Sequence, residues 1–411
     1  MTRTSLLALL GRQGPMSRAA LARELDASRA TVGLVAKSLI ELGLVEELDH
    51  GPSTGGRPGQ LLALAGSAGR AVGVKVSLDH VAAVDMRLDG EVVRSSVGRF
   101  DASVPQSEAL AALAKYLYEF VSDGESDIPL LGVGVCVPGV VAQPDIGVAE
   151  VPAFGWSDVP LGRYLRGVLG VPVLVENGVK ALAFSELLYG QGRKRNTFAV
   201  VTIGRGVGFA AVANREVQRG ALGIAGEIGH VVAVAGGPSC PCGARGCLES
   251  FASDEGLLRA ARAAGVLGAG EGTERLAELA ESGDAAALRV YQKAATVLGR
   301  FLAGPLSALG PELVVVAGEG SSAWAFWDEP FRRALHRFLP VSWGDVAVER
   351  SSWLDGNWAQ GAAAIVLATV FEQRPVAGRQ RRNVLARLRG VTDEAPEDFS
   401  AALLAAGRAR A

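Results

Sequence analysis

Beyond about residue 66, the sequence alternates short apolar runs with alanine-rich helical stretches, and this alternation restricts the possible folds more than any other feature. Five runs have the length and the β-branched content of buried strands: Ala71–Val76, Leu131–Val137, Val171–Val175, Phe198–Ile203 and Leu313–Ala317. Strands and helices that alternate in this way form layered α/β structures. We therefore expect two similar α/β lobes, the first over residues 70–185 and the second over residues 186–356.

The C-terminal part predicts one more helix and a tail. The helix, over residues 357–371, is expected to pack back on the first lobe. The tail, residues 373–411, is basic, then acidic, then alanine-rich, which predicts partial disorder. No apolar run is long and charge-free enough to span a membrane, so we expect no membrane partner and a cytoplasmic location.

The first 66 residues have a different pattern, which predicts three helices and a short glycine-rich hairpin. The first helix covers roughly Thr4–Arg12, and the next two begin after Ser17 and Ser28, both suitable N-caps. The connection Asp26-Ala27-Ser28 is short, as in a helix-turn-helix. The apolar spacing of the third helix predicts a buried stripe made of the following residues: Val32, Val35, Leu39 and Leu42.

The outward side of this N-terminal region is suited to nucleic acid. Its first 40 residues carry six basic side chains and two acidic ones, although the whole chain has a net charge of -2. The hairpin carries an arginine in a glycine-rich tip, as a wing that reaches a minor groove would. Residues 1–66 therefore predict a winged helix-turn-helix domain that binds double-stranded DNA through Ser28, Arg29, Thr31, Lys37 and Arg57. A small helical bundle used for protein contacts is the alternative.

Three of the four cysteines fall within eight positions, in Cys240-Pro-Cys242-Gly-Ala-Arg-Gly-Cys247, and His230 lies ten positions before Cys240. Three thiolates and one imidazole complete a tetrahedral zinc shell and leave no open position for water. We therefore expect a structural Zn²⁺ bound by His230, Cys240, Cys242 and Cys247. Three buried free cysteines are the alternative, and the fourth, Cys136, is expected to be a small core residue.

The same motif carries a family resemblance. Gly226-Glu227-Ile228-Gly229-His230, the cysteine motif and the following Leu248-Glu249 resemble the signature of the ROK family (repressors, open reading frames and kinases). Further segments resemble the family's wing, strand turns and closing helix: Gly56-Arg57-Pro58, Val133–Gly139, Ile203–Gly208 and Gly361–Ala364. The resemblance implies ribonuclease-H-like lobes of the actin and hexokinase type with a sugar between them. It also implies sugar contacts from Asn177, Glu227, His230 and Glu249.

The chain departs from the pattern of the family's kinases at two places. Where those kinases have Asp-x-Gly-Gly-Thr, this sequence has Lys75-Val76-Ser77-Leu78-Asp79. Where they have Asn-Asp, with Asp as the catalytic base, it has Asn177-Gly178. Glycine accepts no proton and leucine crowds a phosphate, so we expect no enzymatic activity. The missing carboxylate also predicts a weakened or altered response to sugar.

These observations favour a ROK-type DNA-binding transcriptional regulator, a repressor of carbohydrate-related genes. The predicted partners are an operator duplex, a sugar or sugar-phosphate effector and further copies of the chain, in a homodimer or homotetramer. Two alternatives stay open at this point. One is a sugar kinase with an atypical site, and the other is a regulator whose sensor has degenerated and which responds to a protein partner.

Overall fold

The computed structural model describes residues 2–48, 60–124, 126–340, 346–351, 354–371 and 376–390. These residues form two compact units. The first unit contains the chain up to Lys194, the segment Ala221–Gly223 and the chain from Asp355 onward. The second unit contains Arg195–Gly220 and Ile224–Leu354. No helix in the described ranges combines the length and the apolar content needed to cross a membrane.

The N-terminal part of the first unit contains the three predicted helices, the two predicted strands of the hairpin and one short strand, β1, that was not predicted. In chain order they are α1 (Arg3–Gln13), β1 (Met16–Ser17), α2 (Arg18–Glu24), α3 (Arg29–Glu41), β2 (Val45–Leu48) and β3 (Leu61–Leu64). The two predicted N-caps are confirmed, since Ser17 Oγ accepts from the N–H of Ala20 at 3.2 Å and Ser28 Oγ accepts from that of Thr31 at 3.0 Å. The strands form an antiparallel sheet in the order β1-β3-β2. Residues 49–59, with the predicted wing tip and Arg57, lie outside the described residues.

The buried stripe of α3 differs from the prediction at two positions. Val32 and Leu39 are fully buried as predicted, whereas Val35 is half-buried and Ala36 is the third buried residue of the helix. Leu42 is 52% exposed, so its predicted burial is wrong. It follows the last helical residue as the C-cap, where the helical spacing that predicted its burial no longer holds.

The rest of the first unit is built on a five-stranded sheet. Its elements are β4 (Arg70–Val76), β5 (His80–Arg87), β6 (Val92–Arg99), α4 (Gln106–Ser122), β7 (Leu130–Val137), β8 (Val140–Val141), β9 (Ala149–Val151), β10 (Trp156–Val159), α5 (Leu161–Leu169), β11 (Val173–Asn177) and α6 (Gly178–Leu188). The strand order is β11-β7-β4-β5-β6, with β4, β7 and β11 parallel and β5 and β6 antiparallel to their neighbours. The short strands β10-β9-β8 form a separate antiparallel sheet.

The second unit repeats this plan. Its elements are β12 (Phe198–Ile203), β13 (Val207–Ala213), β14 (Glu216–Val217), α7 (Glu249–Ala252), α8 (Asp254–Ala263), α9 (Thr273–Glu281), α10 (Ala285–Leu309), β15 (Leu313–Ala317), α11 (Trp324–Phe338) and β16 (Ala347–Arg350). The strand order is β14-β13-β12-β15-β16. β13 is antiparallel to both of its neighbours, β12 and β14, whereas β15 and β16 are parallel to β12. Each sheet has its own apolar core. The predicted α/β class is confirmed, and both five-stranded sheets are mixed.

The chain ends in the first unit with α12 (Asp355–Phe371) and α13 (Arg381–Leu388). α12 is buried from Trp358 onward except at one position and packs on β4 and β7. Its approach is so close that a Cβ on Gly134 would lie 1.8 Å from the carbonyl oxygen of Ala362. The far end of α12 reaches the N-terminal helices, where the ring of Phe371 lies 3.4 Å from the Cβ position of Gly11.

Part of the region predicted as a tail is ordered. Val384 of α13 is fully buried, and the guanidinium of Arg387 donates to the carbonyl oxygens of Leu130 and Gly170 at 3.2 and 3.0 Å. Residues 376–390 therefore pack on the first unit. The sequence pattern did not indicate this, because these contacts join positions more than 200 residues apart.

Candidate functional site

The three clustered cysteines lie in an irregular loop of the second unit that follows a short helical turn ending at His230. Two isolated β-bridges hold this loop together. One joins Val232 to Cys247 and the other joins Ser239 to Arg245. The bridges bring residues from the two ends of the loop together, so that His230 and the cysteines meet in one place.

Three of the four predicted metal ligands come together at distances that suit Zn²⁺. Cys240 Sγ lies 3.6 Å from His230 Nδ1, and Cys242 Sγ lies 3.7 Å from Cys247 Sγ. The ligand atoms of His230, Cys240 and Cys242 all lie within 4.8 Å of one another. Bonds of ~2.3 Å to sulfur and ~2.05 Å to nitrogen at tetrahedral angles place such atoms about 3.6–3.8 Å apart. His230, Cys240 and Cys242 therefore suit a metal ion. Cys247 is the one predicted ligand outside this group of three, and its Sγ donates to the carbonyl oxygen of His230 at 3.3 Å.

Glu249 joins this loop to the glycine-rich turn of the second unit. It is the first residue of α7, two positions after Cys247. Its Oε2 accepts from the backbone N–H of Val207 at 3.1 Å, and its Oε1 lies 3.9 Å from His230 Nδ1. A metal bound to Nδ1 of His230 would leave Nε2 of the same ring for a ligand. His230 can thus take part in both of its predicted roles.

The other two predicted sugar-binding residues differ in their surroundings. Glu227 is half-buried in the second unit, and its carbonyl oxygen accepts from the N–H of His230 at 3.4 Å. Asn177 belongs to the first unit, where its Oδ1 caps α6 by accepting from the N–H groups of Val179 and Lys180. Its Nδ2 donates to the carbonyl oxygen of Gly139 at 2.9 Å. Most of the hydrogen-bonding capacity of Asn177 is therefore used within the protein.

The position after Asn177 is closed by an aromatic ring. A Cβ on Gly178 would lie 3.1 Å from Cζ3 of Trp358, which α12 contributes to the first unit. Such a contact is tighter than ordinary van der Waals separation, so a side chain at residue 178 would displace the ring. The indole of Trp358 thus occupies space that a side chain at position 178 would need. Trp358 was not predicted, because 180 residues separate it from Gly178.

Lys75 is the centre of an ionic cluster in the first unit. Its Nζ lies 2.7 Å from Asp355 Oδ1 and 5.2 Å from the centroid of the Trp358 ring. His80 Nε2 lies 3.2 Å from the other oxygen of Asp355. Burial alone would raise the pKa of Asp355, but the hydrogen bond and charge of Lys75, with His80, lower it below its usual value. The sequence did not indicate Asp355, which is 280 positions from Lys75.

The predicted DNA-binding residues of α3 lie at the protein surface. Arg29, Thr31 and Lys37 are all exposed, and the Lys37 ammonium lies 3.9 Å from Glu41 Oε1. Ser28 caps the helix, so its hydroxyl serves the fold as well as the surface. Arg57 lies outside the described residues.

The comparisons with known proteins decide the family. The family model described as "ROK family" matches residues 71–369, which is most of the chain. The chain belongs to the ROK family. The xylose repressor of Bacillus subtilis is 29% identical over 312 residues, a match that covers 76% of this chain and 80% of the repressor. The glucokinase of Thermotoga maritima is 30% identical over 292 residues, covering 68% of this chain and 91% of the kinase.

Solved ROK structures agree with this assignment. A ROK family transcriptional regulator, homologous to the MLC protein of E. coli, superposes with a TM-score of 0.78 and covers 94% of this chain and 98% of its own. At 21% identity this likeness shows the fold alone. A ROK glucokinase from Streptomyces griseus, solved with glucose and AMPPNP, superposes with a TM-score of 0.63 at 25% identity and covers 72% of this chain and 98% of its own.

The glycine-rich turn of the second unit, Gly204-Arg205-Gly206 after β12, is surrounded by acidic groups. A Cβ on Gly204 would lie 2.2 Å from Glu319 Oε2, and the carbonyl oxygen of Gly204 accepts from the N–H of Asp254 at 2.7 Å. Burial, with the charges of Glu319 and Glu274, raises the pKa of Asp254 to about 6, while Arg205 acts in the opposite direction. A carboxylate against the loop disfavours a bound phosphate. Glu319 was not predicted from the sequence.

Proposed function

We propose that this chain is a ROK transcriptional repressor that binds an operator duplex through α3 and responds to a sugar, without kinase activity. The exposed basic side of α3, with Arg29 at its start and Lys37 two turns later, carries the proposal. Together with α2, β2 and β3 it fits a winged helix-turn-helix domain, in which the second helix of the motif enters the major groove. The similarity to xylose repressors over about three quarters of the chain supports the same function.

The remaining parts of the proposal follow from this role. The two predicted oligomers, dimer and tetramer, suit an inverted-repeat operator, because two-fold symmetry in the protein matches two-fold symmetry in the DNA. Sugar binding would shift the population of DNA-binding and non-binding states. Zn²⁺ bound by His230, Cys240, Cys242 and Cys247 would fix the loop that carries His230 and Glu249. A protein with this function works in the bacterial cytoplasm.

Kinase activity has three structural obstacles in this chain. Trp358 lies against Gly178, Lys75 is paired with Asp355, and Glu319 lies against Gly204. Position 178 has no group that could act as the base. A lysine–aspartate pair and a carboxylate lie beside Lys75–Asp79 and Gly204–Gly206, the two segments that correspond by resemblance to the phosphate-binding turns of the family's kinases. Incubation with ATP and a hexose panel should therefore give no sugar-dependent ADP release above that of a chain-free control.

Replacing Arg29 with alanine should weaken duplex binding by about ten- to a hundredfold, because a base or phosphate contact contributes roughly 1–3 kcal/mol. Fluorescence anisotropy with duplexes enriched from genomic fragments measures the effect at several salt concentrations. Arg99→Ala, an exposed arginine on β6, is the matched control and should bind like the wild type. Binding that is independent of salt and sequence in the wild-type protein would contradict the proposal.

Replacing Glu249 with glutamine should weaken sugar binding by about tenfold or more, because a carboxylate accepts stronger hydrogen bonds from hydroxyls than an amide does. Isothermal titration with xylose, glucose, N-acetylglucosamine and their phosphates measures it. Glu255→Gln, on the exposed side of α8, is the control. Unchanged zinc content in the Glu249 variant separates a ligand contact from damage to the loop. If none of these sugars binds the wild-type chain, the sensing part of the proposal is wrong.

A further inference from the structure

Leu34 is an apolar residue on the outward side of α3 with no place in the core. It is 73% exposed, whereas Val32 and Leu39 of the same helix are fully buried. In a helix, residues three and four positions apart lie on one face, so Leu34 lies between Ala30 and Lys37. Ala30 and Lys37 are exposed as well. The result is an apolar side chain in the middle of a basic, solvent-facing helix surface.

The residue before it, Gly33, provides an independent observation. Gly33 lies in the interior of α3, where glycine destabilises a helix relative to alanine. A Cβ at this position would meet nothing within 4 Å among the described residues, and Gly33 has no positive φ. The fold as described therefore gives no reason for glycine here. A close approach by something outside the protein would give one, because an added methyl group would then be in the way.

We infer that a DNA duplex approaches α3 most closely at Gly33 and that Leu34 contacts the 5-methyl group of a thymine in the major groove. The thymine methyl is the one apolar group that a base edge presents there, and apolar side chains contact it. The inference rests on the proposed DNA-binding function and deepens it. It assigns Gly33 and Leu34 to specificity and predicts a thymine at one fixed position of each half-site.

The surrounding charges favour a duplex over another protein surface as the occupant. Arg29 lies five residues before Leu34 and Lys37 lies three residues after it, so positive charge lies on both sides of the apolar residue along the helix. The N-terminus of α3 adds the positive end of the helix dipole and has no acidic residue in its first turn. Flanking phosphates complement this pattern, with the base edge between them.

The test begins by selecting binding sites from a pool of randomised duplexes with the wild-type chain. In the selected site, each thymidine is then replaced in turn by deoxyuridine, which lacks only the methyl group. Removing one methyl contact should reduce wild-type affinity about three- to fivefold at a single position in each half-site. Leu34→Ala should bind the thymine and uracil duplexes equally well. Leu42→Ala, a second exposed leucine of the same region, should discriminate like the wild type.

Gly33→Ala tests the close approach of the duplex, because this variant should have a higher melting temperature and a lower duplex affinity. The melting temperature should rise by about one to three degrees, because alanine favours the helix. Affinity for the selected duplex should fall by at least about tenfold. Gly356→Ala, at another helical glycine of the first unit with nothing near its Cβ position, should leave duplex affinity unchanged.

The outcomes separate this inference from the proposed function. A wild-type chain that enriches no sequence overturns both. A wild-type chain that selects a site, together with a Leu34→Ala variant that still prefers thymine over uracil, overturns the thymine contact alone. Undiminished duplex binding by Gly33→Ala overturns the close approach.

Discussion

Replacing Cys247 with serine is expected to abolish zinc binding. The wild-type chain should carry about one zinc ion after dialysis, because three thiolates and one imidazole complete its shell. Cys247 is the fully buried member of the set, and its sulfur lies 3.7 Å from that of Cys242. Changing an outer-shell partner typically costs about 10–100-fold in metal affinity. Loss of a direct ligand should lower the zinc affinity by more than this factor, so elemental analysis should find almost no zinc in the variant.

The consequence for the protein should be local. Cys247 lies two positions before α7 begins, and its carbonyl oxygen accepts from Ser250 Oγ at 2.7 Å, so the zinc loop and the position of Glu249 are linked. The two sheets have separate cores and do not depend on this loop. We therefore expect near-native circular dichroism together with weakened sugar binding.

The matched control uses the cysteine outside the cluster. Cys136 is buried in β7, and burial raises the pKa of its thiol to about 12. Cys136→Ala should keep about one zinc ion per chain. Retention of zinc by the Cys247 variant, or its loss from the Cys136 variant, would contradict the assignment of the metal ligands. A chelator should reproduce the effects of Cys247→Ser on the wild-type chain and leave the variant unaltered.

The features that could be predicted from the sequence depend on residues that lie close together along the chain. The strands, the caps Ser17 and Ser28 and the grouping of His230 with Cys240 and Cys242 all follow from residues within about a dozen positions of one another. Periodicity and ligand spacing describe this range well.

The long-range contacts around Lys75, Gly178 and Gly204 could not be predicted in the same way. Lys75 with Asp355, Gly178 with Trp358 and Gly204 with Glu319 are each more than 100 positions apart. The sequence showed that two kinase residues had been replaced. Only the packing shows that other side chains now occupy their surroundings, because the register of α12 and of the loop after β15 is a tertiary property.

Replacing Lys75 with aspartate, the residue that the ROK kinases have at this position, should destabilise the first unit by roughly 2–4 kcal/mol at neutral pH. The change removes the partner of a largely buried carboxylate and sets a second carboxylate beside Asp355. The Lys75 and Asp355 side chains are only 14% and 27% exposed, so water screens the repulsion incompletely. Lys115→Asp is the control. It changes the same residue type at an exposed position of α4, where a like-charge pair with Glu119 costs about 0.5 kcal/mol.

The contribution of the Asp355 site to stability should depend on pH with opposite signs in the wild type and in the Lys75→Asp variant. In the wild-type chain the pKa of Asp355 is lowered. Its contribution to stability is therefore present above the unfolded pKa of about 4 and is lost as pH falls through the lower folded value. In the Lys75→Asp variant, burial and repulsion should raise the pKa of Asp355 or of its new neighbour. Stability would then be lost as pH rises from about 4 to 7.

Thermal unfolding of the wild type, Lys75→Asp and Lys115→Asp between pH 3 and 7 measures both effects. The stability of Lys115→Asp should vary with pH in parallel with that of the wild type. The stability of Lys75→Asp should vary with the opposite slope over this range. Parallel curves for all three would contradict the role assigned to the Lys75–Asp355 pair. An aspartate at position 75 would thus weaken the fold, because Asp355 and Trp358 are already arranged around a lysine.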